Sequence, residues 1–145
     1  MFKSILLPTD GSELSDKATT IAIDFARLHQ ARIVTITVIQ PMLLPSLGDS
    51  GAMLSADQFQ TQMQNAARHH IEKVTSAARA AGIPCEGIIA MSPNPYEEIV
   101  EAASKHGCDL IMMASHGRKG LNKLFLGSET QRVLSHTTLP VLVLR

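Results

Sequence analysis

The sequence is poor in aromatic residues, in cysteine and in excess charge, and two of these shortages exclude classes of function. Aromatic residues make up 3% of the 145 residues, and tryptophan is absent. A protein that stacks single-stranded nucleic acid bases on aromatic rings usually needs more. The formal net charge is zero, so no general electrostatic attraction to nucleic acid or to an anionic membrane is expected. The sequence therefore predicts that neither is a partner.

Cysteine and long apolar runs are also scarce. Cys85 and Cys108 lie in separate segments without the Cys-x-x-Cys or Cys–His spacing of a metal site, so we expect two buried thiols in a reducing compartment. No run approaches the roughly 20 apolar residues of a membrane span, and the N-terminus lacks a signal-peptide core. We expect a cytoplasmic protein with one domain over residues 1–145, which is long enough to bury a real core.

Apolar runs alternate with amphipathic segments along the whole chain. The runs predict strands at residues 4–8, 33–39, 85–90, 109–114 and 141–144. Helical periodicity lies between them, so the order β-α-β-α-β-α-β-α-β predicts a three-layer α/β sandwich with a parallel sheet covered on both faces. If the strand order is 3-2-1-4-5, the first and fourth strands are neighbours. Ligands of such sheets bind beyond the carboxyl ends at that switch point.

Capping residues and helical spacing predict where the helices begin and which faces they bury. Ser12 and Asn94 are good N-caps, with Pro95 at the first helical position and Glu97 at the capping-box position. Ser55 is predicted to open the longest helix, and Ser128 a short one that ends at residue 135. The first helix is expected to bury a face made of Leu14, Ala18, Ile21, Phe25 and Leu28.

Two further features of these segments have a structural and a functional interpretation. Residues 40–54 contain two prolines and two glycines and predict a long loop, whose apolar residues favour a loop that folds over something. His69 and His70 are expected on the surface or flank of the second helix, since no partner ligand lies one turn away. Glu97 and Glu98 could form an acid–base pair, but complementing the helix dipole is the favoured interpretation.

The most informative stretch runs from Ile111 to Thr130. A buried strand leads into a loop that contains Gly117 and three cations, and Gly127-Ser128 then opens a helix. Glycines let backbone N–H groups approach a ligand, and a helix start offers unsatisfied donors and a positive dipole end. The stretch therefore predicts a phosphate site, with positive charge from Arg118, Lys119 and Lys123. A solvated basic loop is the alternative interpretation of these cations.

Side chains near this stretch could complete a site. Asp10 could accept hydrogen bonds from a ribose or hold a metal bound to phosphate, or it could simply cap the next helix. Val38 could form an apolar wall for a base or belong to the core. His116 is not expected to be catalytic, because neighbouring side chains on an extended segment point apart and would keep Ser115 away from it. The Walker A, G-x-G-x-x-G and G-x-S-x-G patterns are all absent.

Several blocks in the right order resemble the universal stress proteins of the UspA-like type. They are ILLPTDGSELSDKA, VTITVIQP, NPYEEIVEAA, MMASHGRKGLNKLFLGSETQRVL and the final LPVLVLR. The resemblance covers nearly the whole chain. It implies a five-stranded parallel sheet of order 3-2-1-4-5 with the adenine nucleotide alpha-hydrolase-like fold, and a homodimer paired through the last strand.

The resemblance also implies an adenine nucleotide site. Nucleotide-binding members of the family carry G-2x-G-9x-G-[S/T], which Gly117, Gly127 and Ser128 match, with Ala114 in place of the first glycine. The residues implied along the adenosine are Pro8, Thr9, Asp10 and Val38. Those implied at the ribose and phosphates are Met113, Ala114, His116, Gly117, Arg118, Gly127, Ser128, Glu129 and Thr130. The implied ligand is ATP, or AMP or ADP, with or without Mg²⁺.

Three functional hypotheses follow. The first is a stress-response regulator that binds ATP or AMP without efficient turnover. The second is a slow ATPase or a phosphotransfer enzyme that uses Ser128 or His116, and the third is a dimeric interaction module with a vestigial pocket. The glycine-serine loop favours the first two over the third, and the lack of a clear general base favours the first over the second.

Overall fold

The computed structural model of the protein describes residues 1–41, 50–117 and 125–145, with the backbone alone given for 50–55. Nine elements follow one another in these ranges: β1 (Ser4–Pro8), α1 (Glu13–His29), β2 (Arg32–Ile39), α2 (Ser50–Ala80), β3 (Cys85–Met91), α3 (Pro95–Lys105), β4 (Leu110–Ala114), α4 (Ser128–His136) and β5 (Val141–Leu144). The predicted loop cations, Arg118 among them, and the part of the predicted loop at residues 42–49 lie outside the described residues. No helix of the described ranges is long and apolar enough to cross a membrane.

The five strands form a parallel sheet in the order β3-β2-β1-β4-β5, which confirms the predicted topology. The central strand β1 pairs with β2 from Ser4–Arg32 to Pro8–Ile36 and with β4 at Ile5–Leu110. The carboxyl ends of β1 and β4 therefore lie side by side. At this point the chain has turned from one half of the sheet to the other.

The helices cover the sheet as two layers with separate cores. Ile5 and Leu7 point to the side of α1 and α2, whereas Leu6 between them points to the side of α3 and α4. All three side chains are fully buried, and each such burial contributes about 1.5–3 kcal/mol. A strand that is buried on both faces needs a continuous apolar run. This is why β1 carries Ile-Leu-Leu instead of an alternating pattern.

The buried face of α1 differs from the predicted one. The helix buries its small residues Ala18, Ala22 and Ala26 together with Ile23, whereas Ile21 is 43% exposed and Leu28 is 82% exposed. Small side chains let the helix backbone lie close to the sheet. Spacing alone pointed to the larger residues of the adjacent face.

The structure corrects the predicted start of α2 and confirms that of α3 at Pro95. α2 begins at Ser50, so residues 50–54 are helical and Ser55 is not its cap. Residues 52–54 are Ala, Met and Leu, which are strong helix formers, and no proline follows Pro45 before the helix. At α3, Asn94 occupies the N-cap position but its side chain caps no N–H group. Its Nδ2 instead donates to Glu97 Oε1 over 3.3 Å.

The two cysteines are free thiols with different exposure. Cys108 is buried and accepts a contact from Ser4 Oγ at 3.6 Å, as expected for a core thiol. Cys85 is only half-buried, which corrects the expectation of two buried thiols. Burial and the neighbouring Glu86 carboxylate raise the pKa of Cys85 to about 11.

Candidate functional site at the β1–β4 switch point

Two loops meet at the carboxyl ends of β1 and β4, and Asp10 joins them. Asp10 Oδ1 accepts a hydrogen bond from the backbone N–H of Ser12 over 3.0 Å. Its Oδ2 lies against Gly117, where an added Cβ would overlap the carboxylate. Asp10 therefore supports the turn before α1 and also reaches the loop after β4. The two interpretations of this residue, a turn-capping role and a place in the crevice, are compatible.

Gly127 makes the closest backbone approach at the site. Its N–H donates to Ser115 O over 2.7 Å. A Cβ built on Gly127 would lie 3.0 Å from His116 Cα and 3.2 Å from Ser115 O. Any larger residue would require the end of β4 to shift by a few tenths of an ångström, so glycine favours this close packing of α4. The same hydrogen bond uses the Gly127 N–H that sequence analysis had assigned to a phosphate.

Thr130 forms a second link between α4 and β4. Its side chain is 2% exposed, and Oγ1 is 3.1 Å from both Ala114 O and Ser115 O, to which it can donate its proton. The hydroxyl thus points into the protein and satisfies carbonyl groups at the end of the strand. A ligand would meet the backbone of Thr130 and not its hydroxyl.

The first turn of α4 offers backbone donors at this place. Gly127 is its N-cap, with φ −61° and ψ 152°, and has no side chain that could cap the turn. The N–H groups of Ser128, Glu129 and Thr130 have no acceptor within the helix, as at any helix start. Ser128 is exposed. The helix therefore presents N–H groups, a hydroxyl and the positive end of its dipole.

The Glu129 carboxylate is directed toward α3. Its Oε2 accepts a hydrogen bond from the backbone N–H of Tyr96 over 2.9 Å, and its Oε1 lies 3.1 Å from Arg132 Nη1. A carboxylate left at the start of α4 would repel a phosphate. Here it satisfies the first turn of α3 instead, so the donors of α4 keep their affinity for an anion.

Ser115 and His116 are in contact, contrary to the prediction that their side chains point apart. Ser115 Oγ lies 3.1 Å from His116 Nδ1. β4 ends at Ala114, so the alternation of side chains along a strand no longer applies to this pair. Ser115 is only 4% exposed, which leaves its hydroxyl little access to a substrate.

The residues expected along the adenosine, together with two of those expected at the ribose and phosphates, lie at the ends of three strands. Thr9 is buried, its Oγ1 lies 3.1 Å from Ser15 Oγ, and its carbonyl accepts a hydrogen bond from Thr37 Oγ1. Met113 is buried in the core on the α3 and α4 side, and the half-buried Val38 packs against the same core. Pro8 and Ala114 are half-buried. The strands thus bring these residues to one edge of the sheet.

His70 lies on the flank of the buried stripe that Ala67, Ile71 and Val74 form on α2, as predicted. The sequence did not predict that its ring lies against Gly11 in the turn after β1, because helical periodicity gives only the flank position. Within the described ranges, no group of three or more His, Cys, Asp or Glu residues is placed to hold a metal ion.

These features define a doubly wound α/β protein in which two loops meet at the switch point of the sheet. A profile of the universal stress protein family matches residues 1–145. The chain belongs to that family, and its fold is the adenine nucleotide alpha-hydrolase-like fold.

Relatives match over nearly the full length. A universal stress protein of Thermus aquaticus is 33% identical over 146 residues, covering 100% of both chains. One from Methanocaldococcus jannaschii is 31% identical over 156 residues, covering 100% of this chain and 96% of its own. The solved structure of that protein superposes with a TM-score of 0.81 at 29% identity over 99% of this chain and 96% of the other.

Proposed function

We propose that the protein binds an adenine nucleotide, ATP or AMP, in the crevice between β1 and β4, and acts as a regulator or sensor in a stress response. The observation that carries the proposal is the contact of Gly127 with the end of β4. It sets the first turn of α4, with its N–H donors, beside the loop that holds His116 and Gly117. A helix start held at such an edge favours phosphate groups.

The proposed pose follows from the donors that remain available. The N–H groups of Ser128 and Glu129 and the Ser128 hydroxyl face the terminal phosphates. Asp10 is the acceptor suited to ribose hydroxyl groups. Val38 and Pro8 supply apolar surface for the base. Arg118 belongs to the loop between the two glycines, and its charge favours the phosphate end.

Solved proteins of this fold are described with adenine nucleotides. A universal stress protein in complex with cAMP superposes with a TM-score of 0.72 at 23% identity over 99% of this chain and 97% of its own. One from Arabidopsis thaliana with AMP bound superposes with a TM-score of 0.68 at 16% identity over 98% of this chain and 90% of its own. These identities show a common fold alone. The support they add is that the fold has room for such a ligand.

A metal would enter with the nucleotide. Mg²⁺ usually keeps several waters and binds one or two carboxylates together with substrate phosphates. Asp10 is the carboxylate that suits this role, so any Mg²⁺ would be held between Asp10 and the phosphate groups, as the alternative to the contact of Asp10 with the ribose.

Slow hydrolysis or phosphotransfer is the second candidate, and the contact of Ser115 with His116 favours it. A hydroxyl 3.1 Å from an imidazole nitrogen is the arrangement of a nucleophile and its base. The burial of Ser115 limits such a reaction to slow turnover. Binding without efficient turnover is therefore the primary proposal, and loss of all binding would leave a dimeric interaction module.

Calorimetry of the purified protein with ATP, AMP and GTP tests the proposal, after the ligand released by heating has been identified by mass spectrometry. Binding of ATP or AMP in preference to GTP supports it. A matched pair of variants on α4 locates the site. Ser128→Ala at its first turn should weaken binding, whereas Ser135→Ala at its last turn should not. Equal affinity in both variants contradicts the placement, and no binding of any nucleotide contradicts the function.

A further inference from the structure

The ring of His70 lies directly against the backbone of Gly11. A Cβ built on Gly11 would lie 2.7 Å from His70 Cε1 and would overlap Nε2 and Cδ2. The Nε2 edge of the imidazole therefore faces the Gly11 α-carbon. Gly11 also has a φ of +74°, which residues with side chains rarely adopt. Glycine is required at position 11 for two separate reasons.

Gly11 lies in the turn that carries the candidate site residues of β1. Its own N–H donates to Thr9 Oγ1 over 3.3 Å, and the next N–H, that of Ser12, donates to Asp10 Oδ1 over 3.0 Å. If the backbone at Gly11 changed its conformation, both hydrogen bonds would be lost and Asp10 would move. The imidazole packs on the one residue of this turn that has no side chain to restrict it.

A second contact shows that α2 also packs beside the start of α1. Lys73, one turn along α2 from His70, forms an ion pair with Asp16 of α1 at 2.5 Å. Lys73 is exposed and Asp16 is partly exposed, so the pair contributes little stability. It does establish that one face of α2 meets the β1–α1 turn and the first turn of α1 together. Asp16 lies in that first turn.

We propose that His70 is a positioning residue for the nucleotide site proposed above, on which this inference rests. Its ring holds the β1–α1 turn so that Thr9 and Asp10 stay in the conformation that receives the ribose and the phosphates. Glycine loses more backbone entropy on ordering than any other residue. If the turn is already ordered in the ligand-free protein, this entropy loss no longer occurs on binding, and the affinity is higher.

Hydrogen exchange of the nucleotide-free protein tests the positioning role directly. In His70→Ala the amides of Gly11 and Ser12 should exchange at least fivefold faster than in the wild type. His69→Ala is the matched control, because His69 precedes His70 and is exposed. The His106 amide, bonded to Ala102 O in α3, is the internal reference. Unchanged exchange at Gly11 and Ser12, or an equal increase at His106, overturns the proposal.

Nucleotide affinity provides a second, independent measurement. His70→Ala should weaken ATP binding about three- to tenfold, His69→Ala should leave it unchanged, and His70→Gln, whose amide reaches as far as the Nε2 edge, should recover most of the loss. Equal affinity in all these variants overturns the inference while the proposed function stands. A wild type that binds no adenine nucleotide overturns the proposed function, and the exchange measurement then still decides whether His70 orders the turn.

A double-mutant cycle isolates the contact itself. Gly11→Ala adds both backbone strain and overlap with the ring, but in the His70→Ala background only the strain remains. The loss of affinity caused by Gly11→Ala should therefore be smaller in that background. Additive losses would mean that the ring and Gly11 act independently, and they would overturn the assigned contact.

Discussion

Glu129 Oε2 accepts a hydrogen bond from the backbone N–H of Tyr96, which connects the first turn of α4 to the first turn of α3. The side chain of Asn94, the N-cap of α3, accepts no backbone N–H of that turn. A carboxylate from another helix thus replaces the local cap. The same contact keeps a negative charge away from the donors of α4, so one side chain serves both helix starts.

Replacing this carboxylate should destabilise the fold. Glu129→Ala leaves the Tyr96 N–H without its acceptor, and lost N-cap contacts typically cost about 0.5–2 kcal/mol. Glu129→Gln retains an oxygen acceptor and should lose less. Urea denaturation measures both, with Glu101→Ala on the exposed side of α3 as the control. Equal midpoints for the wild type and Glu129→Ala would contradict the role of this contact.

The local sequence pattern predicted the strands and helices and their order along the chain, because continuous apolar runs and turn residues are properties of neighbouring positions. The strand order 3-2-1-4-5 and the meeting of β1 with β4 are confirmed. The contacts of Glu129 with Tyr96 and of His70 with Gly11 join residues far apart in the chain. No periodicity of a single segment encodes such contacts.

The wrong predictions, for the buried face of α1 and for Ser115 and His116, also arise from contacts between segments. α1 buries alanines because close packing on the sheet favours small residues over large ones, and hydrophobic spacing does not measure packing distance. Ser115 and His116 contact each other because both follow the end of β4 at Ala114, where the alternation of side chains along an extended strand no longer applies. Both outcomes are set by tertiary geometry.

Thr130→Val should destabilise the junction of β4 and α4. The substitution keeps the shape of the side chain but removes the hydroxyl that lies 3.1 Å from Ala114 O and Ser115 O. Ser115 O keeps the Gly127 N–H as a donor, whereas the half-buried Ala114 O loses the hydroxyl. A lost hydrogen bond of this kind costs about 0.5–1.5 kcal/mol, so the thermal midpoint should fall by a few degrees. Ser135→Ala, which removes an exposed hydroxyl on the same helix, should change it little. Identical midpoints for the two variants would count against this view.

The Cys85 thiol should react slowly at neutral pH. Burial and Glu86 raise the pKa of Cys85 from its ordinary value of 9.0 to about 11, so little thiolate is present below pH 9. Because the folded-state pKa lies above the unfolded value, the stabilisation from this group is complete below pH 9 and is lost as pH rises through about 11. Alkylation rates from pH 7 to 11, followed by mass spectrometry, measure the titration. A plateau of the Cys85 rate by pH 9 contradicts the assignment.

Gly127→Val should weaken nucleotide binding by at least tenfold, which corresponds to about 1.4 kcal/mol. Even the first added carbon would lie 3.0 Å from His116 Cα, so a branched side chain must push the start of α4 away from the loop after β4. Calorimetry with ATP measures the loss, and circular dichroism verifies that the variant is folded. Wild-type affinity in a folded Gly127→Val protein would show that phosphates do not bind at this junction.

The outer strand β5 leads to a last prediction, that the protein forms a homodimer through it. β5 forms one edge of the sheet, pairs with β4 alone within the described residues, and has an apolar sequence in which Leu142 is 37% exposed. An apolar edge strand with unpaired backbone groups favours pairing with another chain. A second copy presents the same strand, so the pairing can close around a two-fold axis.

Light scattering at micromolar concentration should therefore give twice the mass of the 145-residue chain. Leu142→Glu should shift the protein to the monomer, because each subunit would bring a charged carboxylate into the apolar strand pairing. Leu134→Glu is the control, since Leu134 lies on α4 with a similar exposure of 41%. A wild type that is monomeric, or a Leu142→Glu protein that stays dimeric, would contradict pairing through β5.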